Sequence, residues 1–335
     1  MAFWKLSHSS CASRFRRALL LVLSVICIGS VFSHAVLAED RPVLRIGDQR
    51  GAIKALLKVA GELDQIPYRL EWSIFPVGAP LVEAIAANAL DFGYVGDATA
   101  TFALAGHAPI KTINVWRFHG FGAALIVPEK SSIHKLADLK AKKIALVRGS
   151  PAHLLVAAAF KQAGIPLSET HLINLTVADA KAALASGSVD AWAIWDPFIA
   201  AAELNDHARV ILSSQGIIDE VLCGVASDRA IATKRAQLLD FIARVQRAHA
   251  WADSHIPDYA RVYADDTGVS YEVALKTIER MKVVVTQAVE DQDIAVHQKV
   301  ADLYFELGII PAHLDVTQAY DRSFVVGEAG ASRSP

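Results

Sequence analysis

The sequence predicts an α/β protein built as two lobes, and three observations carry that reading. Short apolar strands alternate with helices between residues 43 and 227, the pattern of parallel sheets joined by βαβ connections. The alternation runs once to residue 127 and restarts at Ser131, which makes two such runs. From Asp228 onward the texture turns helical with no strong strand, and this helical third is expected to pack back on the first lobe. A chain of 335 residues, 53% hydrophobic and 20% charged, suits a globular protein with a prior of about two domains.

Taken in order, residues 43–47 form a short apolar strand, and Ile53, Leu56, Leu57, Ala60 and Leu63 recur at helical spacing. Residues 69–75 alternate as a strand does, Leu81, Ile85 and Ala89 mark a helix, and 92–95 are a brief strand. An alanine-rich helix follows over 98–105, then strands over 110–116 and 121–127. The second run places strands at 143–147, 171–175, 191–195 and 221–227, with helices at 151–163, 178–185 and 198–204. Leu238, Ile242 and Val245 begin a long helix, and 256–265, 270–282 and 289–307 also read as helical. No repeat at a solenoid period is visible.

Residues 1–38 read as a signal peptide. Lys5, Arg14, Arg16 and Arg17 supply a basic start, residues 18–32 an apolar run, and Val36-Leu37-Ala38 a cleavage site before Glu39. The run is shorter than the ~20 residues a spanning helix needs, and the Arg16-Arg17 pair leaves the general secretory and twin-arginine routes both open. Removing this segment leaves 29 basic against 35 acidic residues, a formal charge of −6. A mildly acidic protein with no dense basic run argues against nucleic acid as a partner. Cys11 and Cys27 fall in the signal, so Cys223 stands alone in the mature chain and no intramolecular disulfide forms. Residues 326–335, small and polar, read as a flexible tail.

Three segments share one design: a strand, a turn with glycine, and a helix start. They are Gly47-Asp48-Gln49-Arg50-Gly51, Gly96-Asp97-Ala98-Thr99 and Arg148-Gly149-Ser150-Pro151. A helix start presents unpaired N–H groups and a partial positive charge, and glycine lets an anion approach the backbone closely. Singly each is an ordinary βα turn; three together, from both runs, make a candidate anion cradle. Neither GxxxxGK[ST] nor GxGxxG occurs, which gives nucleotide binding no support. In Trp192-Ala193-Ile194-Trp195-Asp196-Pro197 the two indoles point to opposite faces of a strand. Both are core on one reading; on the other Trp195, at the strand's end, lines a cleft. Asp97 and Asp196 read first as helix caps or loop anchors, and His153 reads equally as cleft-lining or as a satisfied structural histidine. His107, His119, His134 and His153 show no metal-ligand spacing, and no metal or other cofactor is expected.

The chain resembles the periplasmic aliphatic sulfonate-binding proteins, within the wider group of nitrate, sulfonate and taurine solute-binding proteins. The matching text includes Leu44-Arg45-Ile46-Gly47 with Gln49 and Gly51, Phe75-Pro76-Val77-Gly78, Leu90-Asp91-Phe92-Gly93 and Gly96-Asp97. It continues through Leu136-Ala137-Asp138-Leu139-Lys140, Gly149-Ser150 with His153, and the run from Val189 to Phe198. Family members often carry Ile-Pro-Pro after Gly-Asp, where Ala98-Thr99-Ala100 stands here, and an asparagine after the histidine, where Leu154 stands.

The resemblance implies a two-lobed periplasmic-binding-protein fold of the second type, with a hinge and an interlobe ligand cleft. It implies a first lobe from 41–127 plus 223–325, a second lobe from 128–222, capture of a small organic anion, and delivery to an inner-membrane ABC permease with its ATPase. It implies no catalysis. The ligand-binding set expected is Gln49, Arg50, Gly51, Gly78, Gly96, Asp97, Thr99, Gly149, Ser150, His153, Trp192, Trp195 and Asp196. A sulfonate offers only acceptors, so N–H groups and the hydroxyls of Thr99 and Ser150 suit it, with Arg117 or Arg148 as candidate added charge and Phe118–Phe121 as candidate contact for an organic tail. Two alternatives remain: a same-fold enzyme such as a sulfinate desulfinase, for which only Cys223 could serve, and a sensory binding protein.

Overall fold

Two separate sheets form, most strands of each run sharing one sheet, but residues 221–227, placed in the second run, join the first run's sheet, and residues 123–127 join the second's. The computed structural model describes residues 41–118 and 122–327. The expected signal peptide and residues 328–335 of the expected tail lie outside the described residues. In chain order the elements are β1 (Val43–Gln49), α1 (Ala52–Val59), β2 (Arg69–Phe75), α2 (Gly78–Ala86), β3 (Phe92–Gly96), α3 (Asp97–Ala105) and β4 (Ile110–Phe118). Then come β5 (Ala123–Val127), β6 (Lys143–Leu146), α4 (Pro151–Gln162), β7 (His171–Asn174), α5 (Val177–Ala185), β8 (Ala191–Trp195), α6 (Phe198–Asn205) and β9 (Arg209–Ser213). The remainder is β10 (Val221–Ser227), α7 (Asp228–Thr233), α8 (Arg235–Ala252), α9 (Ile256–Thr267), α10 (Tyr271–Met281), β11 (Val283–Val285) and α11 (Asp291–Glu306). Ser150, Thr176, Ser227 and Ser270 start their helices by accepting the N–H three residues on.

The first sheet has the order β11-β4-β10-β3-β1-β2 and the second β7-β6-β8-β5-β9. The expectation of parallel sheets holds only for part of each. β1 runs parallel to β2 and β3, and β6 parallel to β7 and β8. β10 is antiparallel to β3 and β4, and β5 antiparallel to β8 and β9. The reason is connectivity: β5 and β10 are the strands by which the chain enters one sheet directly from the other, without a crossover helix to turn it round. Residues 123–127, expected in the first lobe, therefore hydrogen-bond in the second sheet. Two strands escaped the sequence reading, β9 at one sheet edge and the three-residue β11 at the other. Val326, expected in the flexible tail, is buried and its N–H donates to Gln287 O at 2.9 Å.

Helices cover the faces by the apolar stripes their sequences carry. α1 sets Ile53, Leu56 and Leu57 on the first sheet, and α8 adds Phe241, whose ring lies 5.8 Å from Phe92 and 6.1 Å from Trp72. On the other face α2 packs so closely that a Cβ on Gly47 or Gly93 would meet Leu81 at 2.7 Å. Those two glycines bring the start of α2 to the carboxyl end of the sheet. In the second sheet β8 is buried on both faces, with Trp192 and Ile194 in one core cluster and Ala191 and Ala193 in another.

Candidate functional site

Turns at the carboxyl ends of β1, β3 and β6 open onto one cavity, which both sheets line. At the end of β1, Asp48 holds the start of α1: its carboxylate accepts from Ile53 N–H at 3.3 Å and Lys54 N–H at 2.9 Å. Burial pushes this carboxyl up to about 6. Arg50 and Gly51 are both left-handed, with φ of 59° and 83°, a kink that the glycine makes accessible. Gln49 spends one amide N–H on Tyr94 O at 2.9 Å. The Arg50 guanidinium donates to Thr267 O at 3.3 Å and sits 4.9 Å from the ring centroid of Phe198 on α6.

Val77, Gly78 and Ala79 line the cavity, and Val77 gives α2 no side-chain cap, which leaves the first N–H groups of that helix to the cavity. After β3, Asp97 is enclosed. One oxygen accepts from Ala98 N–H at 2.7 Å and the other from Val221 N–H at 3.2 Å, so it anchors β10 to α3, and burial pushes its carboxyl up to about 7. Thr99 donates its hydroxyl to Gly149 O at 3.1 Å, and a Cβ on Gly96 would lie 3.0 Å from Pro151 Cγ. The glycine turns of the two sheets therefore touch.

Beyond β6, Gly149 has φ of 75° and donates its N–H to His153 Nδ1 at 3.2 Å, while Ser150 Oγ accepts from His153 N–H at 3.2 Å. His153 is buried against Phe102 and Tyr304 and does not line the cavity. Burial, with the charge of Arg148, lowers its imidazole to about 4. It shapes the turn from behind. The Thr99 hydroxyl and the Gly149 N–H are likewise spent within the protein, whereas the Ser150 hydroxyl proton is not committed by that contact.

Of the residues expected at the site, Gln49, Arg50, Gly78, Gly96, Asp97, Thr99, Gly149, Ser150, Trp195 and Asp196 line the cavity. Gly51, His153 and Trp192 do not, and Trp192 is 2% exposed in the second sheet's core. Asp196 caps α6 through Ala200 N–H at 3.0 Å and meets Arg280 of α10 at 3.0 Å. Burial raises its carboxyl to about 6 despite the arginine. Arg280 also pairs with Glu203, which makes a charged clasp between α10 and the second sheet's α6. Arg117 is committed to Asp293 and Glu290; Arg148 and Phe118 line the cavity, and residues 119–121 lie outside the described residues.

Sequence reasoning missed the deep wall: Tyr94, Trp116, His249, Tyr259 and Tyr263. Their positions fall on apolar stripes that read as core, and no motif separates them. It also missed Glu220, whose Oε2 accepts from Gly122 N–H and the Ser214 hydroxyl, each at 3.1 Å. Burial and the nearby Asp97 push this carboxyl up to about 8. Cys223 is buried in a core cluster, and burial first, with the charge of Asp97, raises its thiol to about 12. Among the described residues no cluster of His, Cys, Asp and Glu could hold a metal, and no helix is long and apolar enough to cross a membrane.

Comparison with known proteins gives concordant results. Residues 75–259 match the family described as NMT1/THI5 like. An aliphatic sulfonates-binding protein of Escherichia coli K12 is 30% identical over 303 residues, 89% of this chain and 95% of that protein. The structure of the alkanesulfonate-binding protein of Xanthomonas axonopodis pv. citri, bound to MOPS, superposes with a TM-score of 0.77 at 27% identity, over 85% of this chain and 100% of that one. The periplasmic aliphatic sulphonate binding protein of Escherichia coli gives 0.75 at 29% identity, over 88% and 96%. The two-sheet α/β architecture is that of these periplasmic binding proteins, as the sequence led one to expect.

Proposed function

The chain belongs to the NMT1/THI5-like family, and on that premise we propose that it is the solute-binding component of an ABC importer for organic sulfonates. It is exported by residues 1–38, folds in the periplasm, and hands its ligand to an inner-membrane permease driven by an ATPase. It performs no catalysis. The two sheets are the cores of two lobes, with hinge segments where the chain passes from β4 to β5 and from β9 to β10.

The observation that carries this reading is the convergence of helix starts from both sheets on one cavity, at Gly78, Thr99 and Ser150. Peptide dipoles there suit an acceptor-only anion that stays ionised at every physiological pH. Hydrogen bonds to a charged group contribute roughly 1.5–3 kcal/mol each. Three to five of them fit micromolar binding, about 8 kcal/mol, once association and ordering costs are subtracted. The ligand touches both lobes and draws them together, with Arg280 and Asp196 closing over it.

The test is a thermal-shift screen of small anions on protein recovered from the periplasm. Alkane- or arylsulfonates should raise the melting temperature, and sequencing should find the mature chain starting at Glu39. A melting temperature that no sulfonate, sulfate ester, taurine or nitrate moves sinks the proposal.

A further inference from the structure

We infer that the sulfonate taken by this cleft carries an aromatic ring, with a hydrogen-bonding substituent at its far end that is met by His249. The inference rests on the sulfonate reading above and narrows it from organic sulfonates at large to one class.

The cavity does not stop at the helix starts. Ile53, Leu56, Tyr94, Trp116, Tyr259 and Tyr263 line it and are also members of the first sheet's core cluster. Apolar parts of ligands are held in concave pockets lined by aromatic side chains, and this part of the cavity is walled by rings. Tyr94 and Trp116 lie 4.1 Å apart, Trp116 and His249 4.4 Å apart at 73°, and Tyr259 and Tyr263 5.9 Å apart at 90°. Edges and faces in that arrangement suit a flat ring, which gains from aromatic contact beyond the area it buries.

Polar chemistry fixes which end of the ligand goes where. The six core residues just named carry no cation, so the sulfonate stays at the helix starts. His249, on α8, lines the same cavity, and its Nε2, like the Nε1 of Trp116 beside it, is enclosed with no hydrogen-bond partner among the described residues. Burial lowers its imidazole to about 3, so the ring is neutral and offers one donor and one acceptor nitrogen. A buried polar nitrogen left unpaired is unfavourable, and a polar atom on the ligand satisfies it once the imidazole turns Nε2 toward the cavity.

Register sets the span. Leu222 of β10 pairs with Gly96 on one side and Trp116 on the other. Trp116, and His249 against it, therefore stand two strands from the Gly96 turn, roughly 10 Å at ordinary strand spacing. A sulfonate on one or two carbons held at the turn does not reach His249. A para-substituted arylsulfonate fills the intervening space and presents its substituent to that nitrogen.

The test is calorimetric titration of the native protein with methanesulfonate, ethanesulfonate, benzenesulfonate and 4-hydroxybenzenesulfonate. Benzenesulfonate should bind about tenfold tighter than ethanesulfonate, and the hydroxyl should add roughly another fivefold. In His249→Phe the ratio between the two arylsulfonates should fall to about one, while His249→Gln, which keeps a polar nitrogen, should retain part of it. Unfolding curves on each variant report whether it is folded, and the ligand series on the native protein decides the ring preference without any variant. Ethanesulfonate binding as tightly as benzenesulfonate overturns the inference and leaves the sulfonate reading standing. A hydroxyl advantage that survives in His249→Phe overturns the role of His249. Binding of no sulfonate at all removes the reading beneath both.

Discussion

On the six-stranded-sheet side the cavity wall is itself core, with Tyr94, Trp116, Tyr259 and Tyr263 packed into the main hydrophobic cluster. The five-stranded-sheet side contributes the Arg148–Pro151 turn and the corner from Trp195 to Pro197, neither of which belongs to that cluster. Both sheets are α/β and both turn glycines toward the same space, yet it is the first sheet's core that walls most of it. On the proposed reading the first lobe can hold the organic part of a ligand by itself. The second adds dipoles and a clasp, so it governs retention more than recognition. Similar folds thus contribute different terms to one site: buried area from one wall, directed polar contacts from the other.

The largest effect should separate the two tryptophans. Trp116 is 6% exposed and wedged between Tyr94 and His249, so Trp116→Ala should cost about 3–5 kcal/mol in urea unfolding. Trp195 is only partly buried, its ring 6.3 Å from Phe198, and Trp195→Ala should cost about 1 kcal/mol. Equal losses would show that the walls are not built differently. Next comes the junction between the turns. Gly149 has φ of 75°, and a Cβ there would stand 3.0 Å from the Phe102 ring across the cleft. Gly187 has φ of 73° with nothing within 4 Å of such a Cβ. Both Gly→Ala changes carry the left-handed penalty of about 1–2 kcal/mol. Only Gly149→Ala should also lose affinity for ligand, and a matched loss in Gly187→Ala would mean the contact with Phe102 does not matter.

Most of the fold was legible because it rests on local signals. The glycine turns and the alternating strands are written in neighbouring residues. What escaped depends on partners far away in sequence. The antiparallel entry of β5 and β10 follows from connectivity between sheets, and β11 exists only because β4 offers an open edge. At the site, the expected turn residues other than Gly51 line the cavity, and glycine before a helix start has a physical meaning of its own. His153 was ambiguous because a histidine in the first turn can face either way; here its Nδ1 turns back to Gly149. Trp192 and Trp195 were separated by strand alternation, with the terminal residue lining the cavity. Tyr94, Trp116, Tyr259 and Tyr263 were invisible because a residue lining a hole in a core and a residue filling that core carry the same apolar pattern. Glu220 was invisible for another reason: its pKa depends on Asp97, Gly122 and Ser214, three separate elements.

Smaller effects test the clasp. Arg280 is 10% exposed and Asp196 1% at the side chain, and they meet at 3.0 Å. Arg280→Gln should weaken sulfonate binding about tenfold, chiefly through faster release, if this contact holds the lobes together. Because the pair is enclosed, affinity of the native protein should change little between low and moderate salt. A variant that binds as the native protein does would put retention entirely on the ligand's own contacts.

The finest comparison lies where the walls join. Glu220 stands just before β10 and takes an N–H from Gly122 on the β4–β5 passage and an O–H from Ser214 on its own β9–β10 passage. Its carboxyl is raised to about 8 and that of Asp97 to about 7, burial being the main cause in both. A raised carboxyl contributes stability that is fully present below its unfolded value and is lost as pH climbs through the folded one. For these two groups the loss runs from about pH 4 to about pH 8. The melting temperature should therefore fall by a few degrees, roughly, between pH 6 and pH 9, and the fall should be shallower in Glu220→Gln, which keeps an acceptor for Gly122 and cannot ionise. Asp48 and Asp196, raised to about 6, titrate at the lower end of that window, so the residual slope above pH 7 in that variant falls mainly to Asp97. A slope identical to that of the native protein would mean that Glu220 is solvated, and that the passage between the two lobes is wetter than the cleft it supports.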